Sequence, residues 1–392
     1  MNVIIISESY PFGLGTEESF VQPEIEAAIK EGHNVILLPI VDRGPLAASF
    51  PPEATVSRIL CDSPFIRRRW LRPFLLPAAL IRLGRNAMSR YALASEAVRQ
   101  QLSSFLHKNR MTANDTHIIA FWFDFPSGAL PGLGIPYAVR AHGYDLHIHS
   151  STAIREATLT GACAVMPVSR YGADLLTEKF PNAAHLISVS PLGTRICDHR
   201  EPVAPTGSVS FISIARVVEL KRVHLALDLI AALAIARPGW KFSWTHIGGG
   251  PLLEPLRRRV AEALEGLPTL SVTLTGELPH SEAMRMLDSG NYNFGIHTSA
   301  AEGGQPLAIT EMMARGIPVA AADCGGVSEV IDDDSGILLP ADPDPDLFIT
   351  GLLPFLDNTR RYQCLSRAAR ERVGESFDAE VLRRQAIRLL TR

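Results

Sequence analysis

The feature that most constrains this chain is a long alternation of two apolar patterns. Continuous apolar runs, of which NVIIIS at residues 2–7 is the first, are typical of parallel strands buried on both faces. Between these runs lie segments with helical spacing, such as residues 20–31, which end at Gly32. Strands that alternate with helices form parallel sheets covered on both sides. The pattern therefore predicts an α/β fold with doubly wound sheets.

The alternation occurs in two series, separated by DHREPVAPTGS at residues 198–208. The further predicted strands are NVILLPI, HIIAFWF, IPYAVRA, ACAVMPVS and HLISVSPLG in the first series, and VSFISIARV, KFSWTHIGGG, SVTLTG, NFGIHTS and IPVAAADCGG in the second. The predicted domains are 1–195, a linker over 196–208, 209–372, and a C-terminal helix over 373–392 whose return to the first domain is left open. Ligands of such sheets bind beyond the carboxyl ends of the strands, so we expect a site in a cleft between the domains.

Composition and charge narrow the class of protein. The net charge of −3 gives no overall field that would attract nucleic acid. The five cysteines, at positions 61, 163, 197, 324 and 364, form no CxxC pair, which predicts buried thiols in a reducing compartment. No basic segment precedes the N-terminal apolar run, and no run reaches the roughly 20 residues that span a bilayer. A cytoplasmic protein is therefore predicted.

A loop with few side chains precedes a helical segment at residues 302–316. Pro306 suits the first helical position and Gly316 suits the end, which would make Gln305 the N-cap. Glutamine is not a usual cap, so the N–H groups of the first turn would stay available. Gly303 and Gly304 would let a ligand oxyanion approach the backbone there. The sequence therefore predicts an anion-binding loop.

Glu311 lies about one and a half turns into that helix, and two interpretations remain open for it. Glu311 could form a surface pair with Arg315 at i, i+4. Alternatively, its carboxylate could lie at the cleft and accept hydrogen bonds from a ligand diol, since a buried charge needs such partners.

The segment EGGQPLAITEMMARGIPVAAADCGGVSEVI, at residues 302–331, resembles the donor-site signature of the retaining GT-B glycosyltransferases of the large bacterial group 1 family. The two glutamates here are nine residues apart, whereas the family usually has eight. Four other segments resemble further motifs of that family, in the expected order: YPFGLGTEESF, VRAHGYDLH, ARVVELK and HIGGGPLLEPL. The resemblance implies a GT-B fold of two Rossmann-like domains that face a central cleft.

The resemblance also implies roles for individual residues on the donor side. Arg216 and Lys221 would hold the diphosphate of a nucleotide sugar, which needs no metal or cofactor; read alone, they are equally consistent with a solvated loop near Glu219. Glu311 would hold the ribose diol, and Glu302 would hold the hydroxyls of the donor sugar near its anomeric carbon. The remaining donor-binding residues implied are Gly303, Gly304, Gln305, Pro306 and Leu307 through their backbone, and Gly15, with Gly13 as the weaker choice.

His142 is the candidate catalytic histidine, because it directly follows a predicted strand end in the first domain. The resemblance implies that it contacts the donor sugar or shapes the reacting geometry. The alternative is a structural histidine that bonds to the backbone. Arg140, Asp145 and Asp124 are weaker neighbouring candidates.

The reading that combines these features is a retaining glycosyltransferase, which moves a hexose from a UDP- or GDP-linked sugar to a glycan or lipid-linked acceptor in polysaccharide assembly. A GT-B epimerase that acts on nucleotide sugars and a two-lobed sugar-binding protein remain alternatives. The acidic runs at 332–334 and 342–346 lie beyond the donor signature and do not predict a metal site. The chain has no P-loop, and its Gly248–Gly250 run lacks the spacing of a dinucleotide fingerprint.

A basic and apolar stretch at residues 65–85 lies outside these motifs. It contains six arginines, and no Asp or Glu occurs from Ser63 to Ser95. One interpretation is a helical insertion that packs its apolar side on the first domain. The other is an anchor at the inner face of the membrane, in which arginines meet anionic lipid. The arginines assigned to that anchor are Arg67, Arg68, Arg69 and Arg72.

Overall fold

The computed structural model describes residues 1–12, 17–42, 44–83, 89–147, 152–196 and 202–390. Its internal contacts divide the chain into two units: Met1–Pro191 with Glu380–Arg392, and Leu192–Ala379. Each unit contains a six-stranded parallel sheet covered by helices, which confirms the predicted α/β class. The division falls just before the linker predicted over 196–208, of which residues 197–201 lie outside the described residues.

The sheet of the first unit has the strand order β3-β2-β1-β4-β5-β6. Its strands are β1 (Asn2–Ser7), β2 (Asn34–Pro39), β3 (Thr55–Val56), β4 (Thr116–Ala120), β5 (Tyr137–Ala141) and β6 (Ala164–Pro167). Its helices include α1 (Glu18–Lys30), α2 (Pro64–Arg67), α3 (Leu76–Leu83), α4 (Arg90–Lys108), α5 (Gly143–His147), α6 (Thr152–Thr160) and α7 (Arg170–Lys179). The described part of this unit also contains 3-10 helices at Arg69–Leu75, Ser127–Ala129 and Pro181–Leu186. The central strands are buried almost completely, which explains their unbroken apolar runs.

The sheet of the second unit has the order β12-β11-β10-β7-β8-β9. Its strands are β7 (Ser208–Ile214), β8 (Lys241–Ile247), β9 (Leu270–Leu274), β10 (Phe294–His297), β11 (Val319–Ala322) and β12 (Ile337–Leu339). Its helices are α8 (Val223–Ala236), α9 (Leu253–Gly266), α10 (His280–Ser289), α11 (Leu307–Met313), α12 (Val327–Val330), α13 (Pro345–Leu356) and α14 (Thr359–Ser376), with a 3-10 turn at Glu219–Lys221. Loops that follow β7 and β10 lie side by side, because these strands are neighbours in the sheet.

The last helix, α15 (Ala379–Leu390), packs through Arg383 on the core of the first unit. Arg383 donates to the Glu24 carboxylate at 2.7 Å, and Arg140 on β5 donates to the same group at 2.9 Å. Burial alone would raise the pKa of Glu24, but the two arginines hold it below its ordinary value. This buried charge cluster joins α15 to α1 and β5.

Several expectations are wrong in detail. HLISVSPLG is not a strand: Ile187 makes only an isolated bridge to Val165, and Pro191 has no N–H group with which to continue a ladder. The thiols of Cys163 and Cys364 are exposed rather than buried, because they lie on a turn and on the outer face of α14. Within the described ranges, no helix has the length and apolar character that crossing a bilayer requires.

Candidate functional site

The first candidate cluster is built from the loops that follow β7 and β10. Glu302 lies in the loop after β10, and its Oε1 contacts the Nζ of Lys221 from the loop after β7. The Nε2 of His297, at the end of β10, lies 3.0 Å from the same oxygen. The structure therefore brings the predicted sugar-binding glutamate and the predicted phosphate-binding lysine into direct contact.

Glu302 carries its charge under all ordinary conditions. Burial raises its pKa, but the hydrogen bond from His297 and the positive charge of Lys221 outweigh this effect and lower the pKa to about 2. A carboxylate with such partners is a strong and fixed acceptor of hydrogen bonds.

Arg222, which the sequence analysis missed, directly follows Lys221 and ties the loop after β7 to the loops after β10 and β12. Its guanidinium donates to the carbonyl oxygens of Thr298 at 2.8 Å, Ser299 at 3.1 Å and Ala341 at 2.6 Å. It does so from a left-handed backbone conformation with φ of 44°, which is uncommon for a residue other than glycine. Arg216, in contrast, is exposed beyond the end of β7.

The loop before α11 differs from its prediction by one residue. The helix begins at Leu307, and the extended residue Pro306 takes the N-cap position that was assigned to Gln305. Gln305 is instead turned towards the backbone, where its Oε1 accepts from the N–H groups of Leu192 at 2.6 Å and Gly193 at 3.3 Å. Among the described residues its buried Nε2 has no hydrogen-bond partner.

The second glycine pair of the motif holds this loop from the other side. The Gly326 N–H donates to the Glu302 carbonyl at 3.1 Å, and Gly325 has a φ of 56°. A side chain at Gly325 would collide with the Glu302 carbonyl oxygen, so only glycine fits there. Gly303 and Gly304 themselves are buried under this contact.

Glu311 is buried, and the surface pair with Arg315 is wrong. Arg315 donates through Nε to Asp288 at 2.7 Å and through Nη1 to the backbone oxygen of Glu311 at 2.9 Å, not to its carboxylate. The carboxylate of Glu311 instead lies 2.7 Å from the Nε2 of His280, at the start of α10. Sequence reasoning missed His280, since nothing in the local pattern connects residues that are 31 positions apart.

In the first unit, His142 directly follows β5, as predicted, and three aromatic rings surround it. The centroid of its ring lies 4.9 Å from that of Trp122, 5.3 Å from Phe20 and 5.7 Å from Phe121. Burial, together with the positive charges of Arg140 and Arg383, lowers the pKa of His142 to about 3, so the ring is neutral. One ring nitrogen bonds to the backbone of Phe121, while Nε2 is buried with no partner in the described part of the chain.

The weaker candidates near His142 have structural partners. Arg140 pairs with Glu24, and Asp145 accepts from the His142 N–H at 2.8 Å. Burial raises the pKa of Asp145 to about 7 and also raises the pKa of Asp124. Asp145 therefore fixes the backbone turn that presents His142.

Nothing in the sequence indicated the role of Glu17 in this unit. The buried carboxylate of Glu17 accepts from three consecutive backbone N–H groups, of Glu8 at 2.8 Å, Ser9 at 2.6 Å and Tyr10 at 2.8 Å. It also accepts from the indole of Trp122 at 2.6 Å. Glu17 thus joins the segment after β1 to the ring that packs on His142. The predicted residues Gly13 and Gly15 lie outside the described residues.

Comparisons with known proteins show a match to one family over part of the chain and a shared fold over all of it. Residues 195–372 match the family described as glycosyl transferases group 1. Over 234 residues the chain is 30% identical to WcaL of Escherichia coli (strain K12), named for colanic acid biosynthesis, which covers 58% of this chain and 56% of WcaL. It is 29% identical over 185 residues to the amylovoran biosynthesis glycosyltransferase AmsK of Erwinia amylovora, covering 46% and 44% of the two chains. The match thus spans about half the length of these relatives.

Similarity to solved structures extends over the whole chain. A mutant of S. aureus TarM, solved with UDP, alpha-GlcNAc-glycerol and fondaparinux, covers 100% of both chains with a TM-score of 0.71. The sequence identity is 11%, so this likeness shows a shared fold and nothing finer.

Proposed function

We propose, from the match of residues 195–372 to the group 1 glycosyltransferases and from the GT-B fold of the chain, that this protein is a retaining hexosyltransferase. It moves a hexose from a nucleotide-diphosphate sugar to a glycan or lipid-linked acceptor in cell-surface polysaccharide synthesis. WcaL and AmsK are named for such polysaccharides, and the TarM structure contains UDP, which supports this class of donor. The single observation that carries the proposal is the contact of Lys221 and His297 with Glu302.

The proposed chemistry begins with the leaving group. Charge develops on the diphosphate as the glycosidic bond breaks, and Arg216 and Lys221 stabilise it without a metal ion. Lys221 lies against Glu302, so binding of the diphosphate by this lysine exchanges one anionic partner for another. Because the loop backbone is already fixed by Arg222, only the side chain of Lys221 has to move.

Glu302 keeps His297 as a partner when Lys221 turns to the diphosphate. Its fixed negative charge then accepts hydrogen bonds from the sugar hydroxyls close to the anomeric carbon, where an oxocarbenium-like charge develops. Glu311, supported by His280, accepts from the ribose diol. Gly15 and the backbone from Gly303 to Leu307, together with the unpartnered Nε2 of Gln305, complete the proposed donor contacts.

His142 acts in this proposal as a neutral group. Its unpartnered Nε2 hydrogen-bonds to the donor sugar and helps to set the reacting geometry. A positively charged ring is excluded near pH 7, because its pKa is about 3. Arg67, Arg68 and Arg69 would place the enzyme at the anionic inner face of the membrane, where a lipid-linked acceptor is met.

Incubation of the purified protein with a panel of UDP- and GDP-linked hexoses tests the proposal. Each donor is supplied with and without a glycan acceptor, in the presence of a chelator, and the anomeric configuration of the product is read by NMR. Transfer with retained configuration is expected for one donor class. Conversion of the sugar without transfer would favour the epimerase alternative, and donor binding without any turnover would favour the sugar-binding alternative.

A further inference from the structure

The segment that ends with α3 exposes an apolar stripe on its outer side. Phe74 is 73% exposed, Leu80 44% and Ile81 90%, although all three are large apolar residues. Pro77 between them is exposed as well. The 3-10 helix that contains Phe74 runs directly into α3, so these positions follow one another at helical spacing.

The opposite side of the same segment is already packed. Ile66, Leu75 and Ala79 are buried in the core of the first unit. The helical insertion expected from the sequence therefore exists, but its core contacts do not account for the outer apolar residues. An exposed apolar patch of this kind marks a surface that contacts a membrane or another protein.

Two arginines hold the segment in this orientation. Arg82 on α3 pairs with Glu96 on α4 at 2.9 Å and donates to the Gly128 carbonyl at 3.3 Å. Arg72 donates to the Phe65 carbonyl at 3.0 Å and lies 5.9 Å from the ring centroid of Phe125. The inclusion of Arg72 in a lipid-binding set is therefore wrong, because its side chain packs on the protein.

Three arginines remain at the surface. Arg67, Arg68 and Arg69 are exposed at the start of the apolar stripe. No acidic residue lies between Ser63 and Ser95, and the exposed Asp62 directly precedes this stretch. Large apolar side chains beside a cluster of cations complement a surface that is anionic outside and apolar just beneath.

We propose that Phe74, Leu80 and Ile81 insert into the headgroup boundary of an anionic bilayer while Arg67, Arg68 and Arg69 bind lipid phosphates. The proposal deepens the function above by naming the surface at which the enzyme meets its acceptor. Only this link to the acceptor rests on the proposed function. The apolar stripe holds the protein in the membrane, and the arginines select anionic lipid.

Flotation of the full chain with vesicles tests the proposal. The vesicles are phosphatidylcholine alone or phosphatidylcholine with phosphatidylglycerol, each at low and high salt. Wild type should partition onto the anionic vesicles on the order of 10²-fold more strongly than onto neutral ones at low salt, since each of three arginines adds about a factor of five. Salt should reduce this preference.

Two variants separate the contributions. The serine variant combines Phe74→Ser, Leu80→Ser and Ile81→Ser and should bind at least tenfold more weakly to both kinds of vesicle. The glutamine variant combines Arg67→Gln, Arg68→Gln and Arg69→Gln and should lose only the preference for anionic vesicles. The control is Ile235→Ser, because Ile235 is 67% exposed on α8 and should not change binding. Thermal melting and light scattering check that each variant folds and show whether the stripe joins two copies of the chain.

Vesicle binding and donor turnover fail independently. Donor hydrolysis without vesicles should be the same in wild type and both variants, because none of the changed residues belongs to the proposed donor site. If wild type binds vesicles but does not hydrolyse any donor, the proposed transferase function is rejected and the proposed membrane surface is not. Absence of wild-type vesicle binding, an unaffected serine variant, or a dimer dissociated by the serine changes would each overturn the membrane proposal.

Discussion

Lys221 and Glu302 form an ion pair between the loops that follow two neighbouring strands, β7 and β10. The two residues are 81 positions apart in the chain. A lysine proposed for the diphosphate and a glutamate proposed for the sugar thus neutralise each other. His297 gives Glu302 a second partner, so the carboxylate does not become an uncompensated charge when the lysine leaves.

Replacement of Lys221 by alanine should lower kcat strongly. A preorganised cation that meets developing charge typically contributes a factor of ~10²–10³ in rate, and Arg216→Ala should have an effect of the same order. Steady-state kinetics with saturating donor provide the measurement. Lys241→Ala, at an exposed lysine that begins β8, is the matched control. Near-normal turnover in both site variants would reject the diphosphate assignment.

The low pKa of Glu302 predicts a specific loss of stability in acid. The pKa of Glu302 is lowered from its ordinary value of 4.5 to about 2 in the folded protein, so the unfolded chain binds a proton first as pH decreases. Stabilisation by this group is complete above about pH 4.5 and is lost as pH falls through about 2. Glu302→Gln should therefore melt below wild type at pH 7, with a Tm difference that shrinks towards pH 3. A difference independent of pH would contradict the assignment.

The alternation of apolar patterns was enough to predict the fold class and the positions of most strands along the chain. β3 and β12 were missed because two and three residues are too short to show any periodicity. The motif residues were found because their order and spacing resemble those of a known family. Glu302 and Lys221 lie in loops that follow strands, where parallel sheets bind their ligands. The partners of those residues were not found: the contacts of His280 with Glu311 and of His297 with Glu302 depend on how helices and loops pack, and no local pattern records that packing.

Glu311→Gln should weaken binding of the nucleoside diphosphate. Loss of a charged acceptor typically reduces the binding free energy by about 1.5–3 kcal/mol, which is roughly a 10- to 150-fold increase in Kd. Calorimetric titration with UDP and with GDP measures this change. His280→Gln, which can still donate to Glu311, should have a smaller effect than His280→Ala. The control is Glu262→Gln at an exposed position of α9, and equal affinity in wild type and Glu311→Gln would exclude contact with the ribose.

His142→Phe keeps the aromatic packing and removes the ring nitrogens. Loss of one neutral hydrogen bond should lower kcat/KM about two- to tenfold, because such bonds contribute about 0.5–1.5 kcal/mol. The ratio between wild type and variant should stay constant from pH 8 to pH 5, since the ring is neutral throughout with a pKa of about 3. A ratio that changes with a midpoint near pH 6.5 would show that the ring carries charge in the reaction.

The same pKa shift predicts the pH dependence of stability at this position. The pKa of His142 lies below its ordinary 6.5, so protons bind first to the unfolded chain as pH decreases from 6.5 towards 3. Wild type should therefore lose thermal stability over this range relative to His142→Phe. Melting curves of both proteins at pH 7 and pH 5 provide the comparison, and parallel curves would contradict a buried neutral ring.

Glu17→Gln should destabilise the first unit. Both carboxylate oxygens of Glu17 accept hydrogen bonds, Oε1 from Glu8 and Trp122 and Oε2 from Ser9 and Tyr10. The amide of glutamine presents a donor to one of these pairs, which leaves two buried N–H groups without an acceptor. Each such group costs about 1–3 kcal/mol, so the two together cost about 2–6 kcal/mol and Tm should fall by roughly 4–24 °C. Glu26→Gln, on the next turns of α1, keeps an acceptor for Gln22 and is the matched control with little expected change. Trp122→Phe removes a single donor, so its melting temperature should lie between those of Glu17→Gln and Glu26→Gln. Equal melting temperatures for Glu17→Gln and Glu26→Gln would show that this carboxylate does not hold the segment after β1.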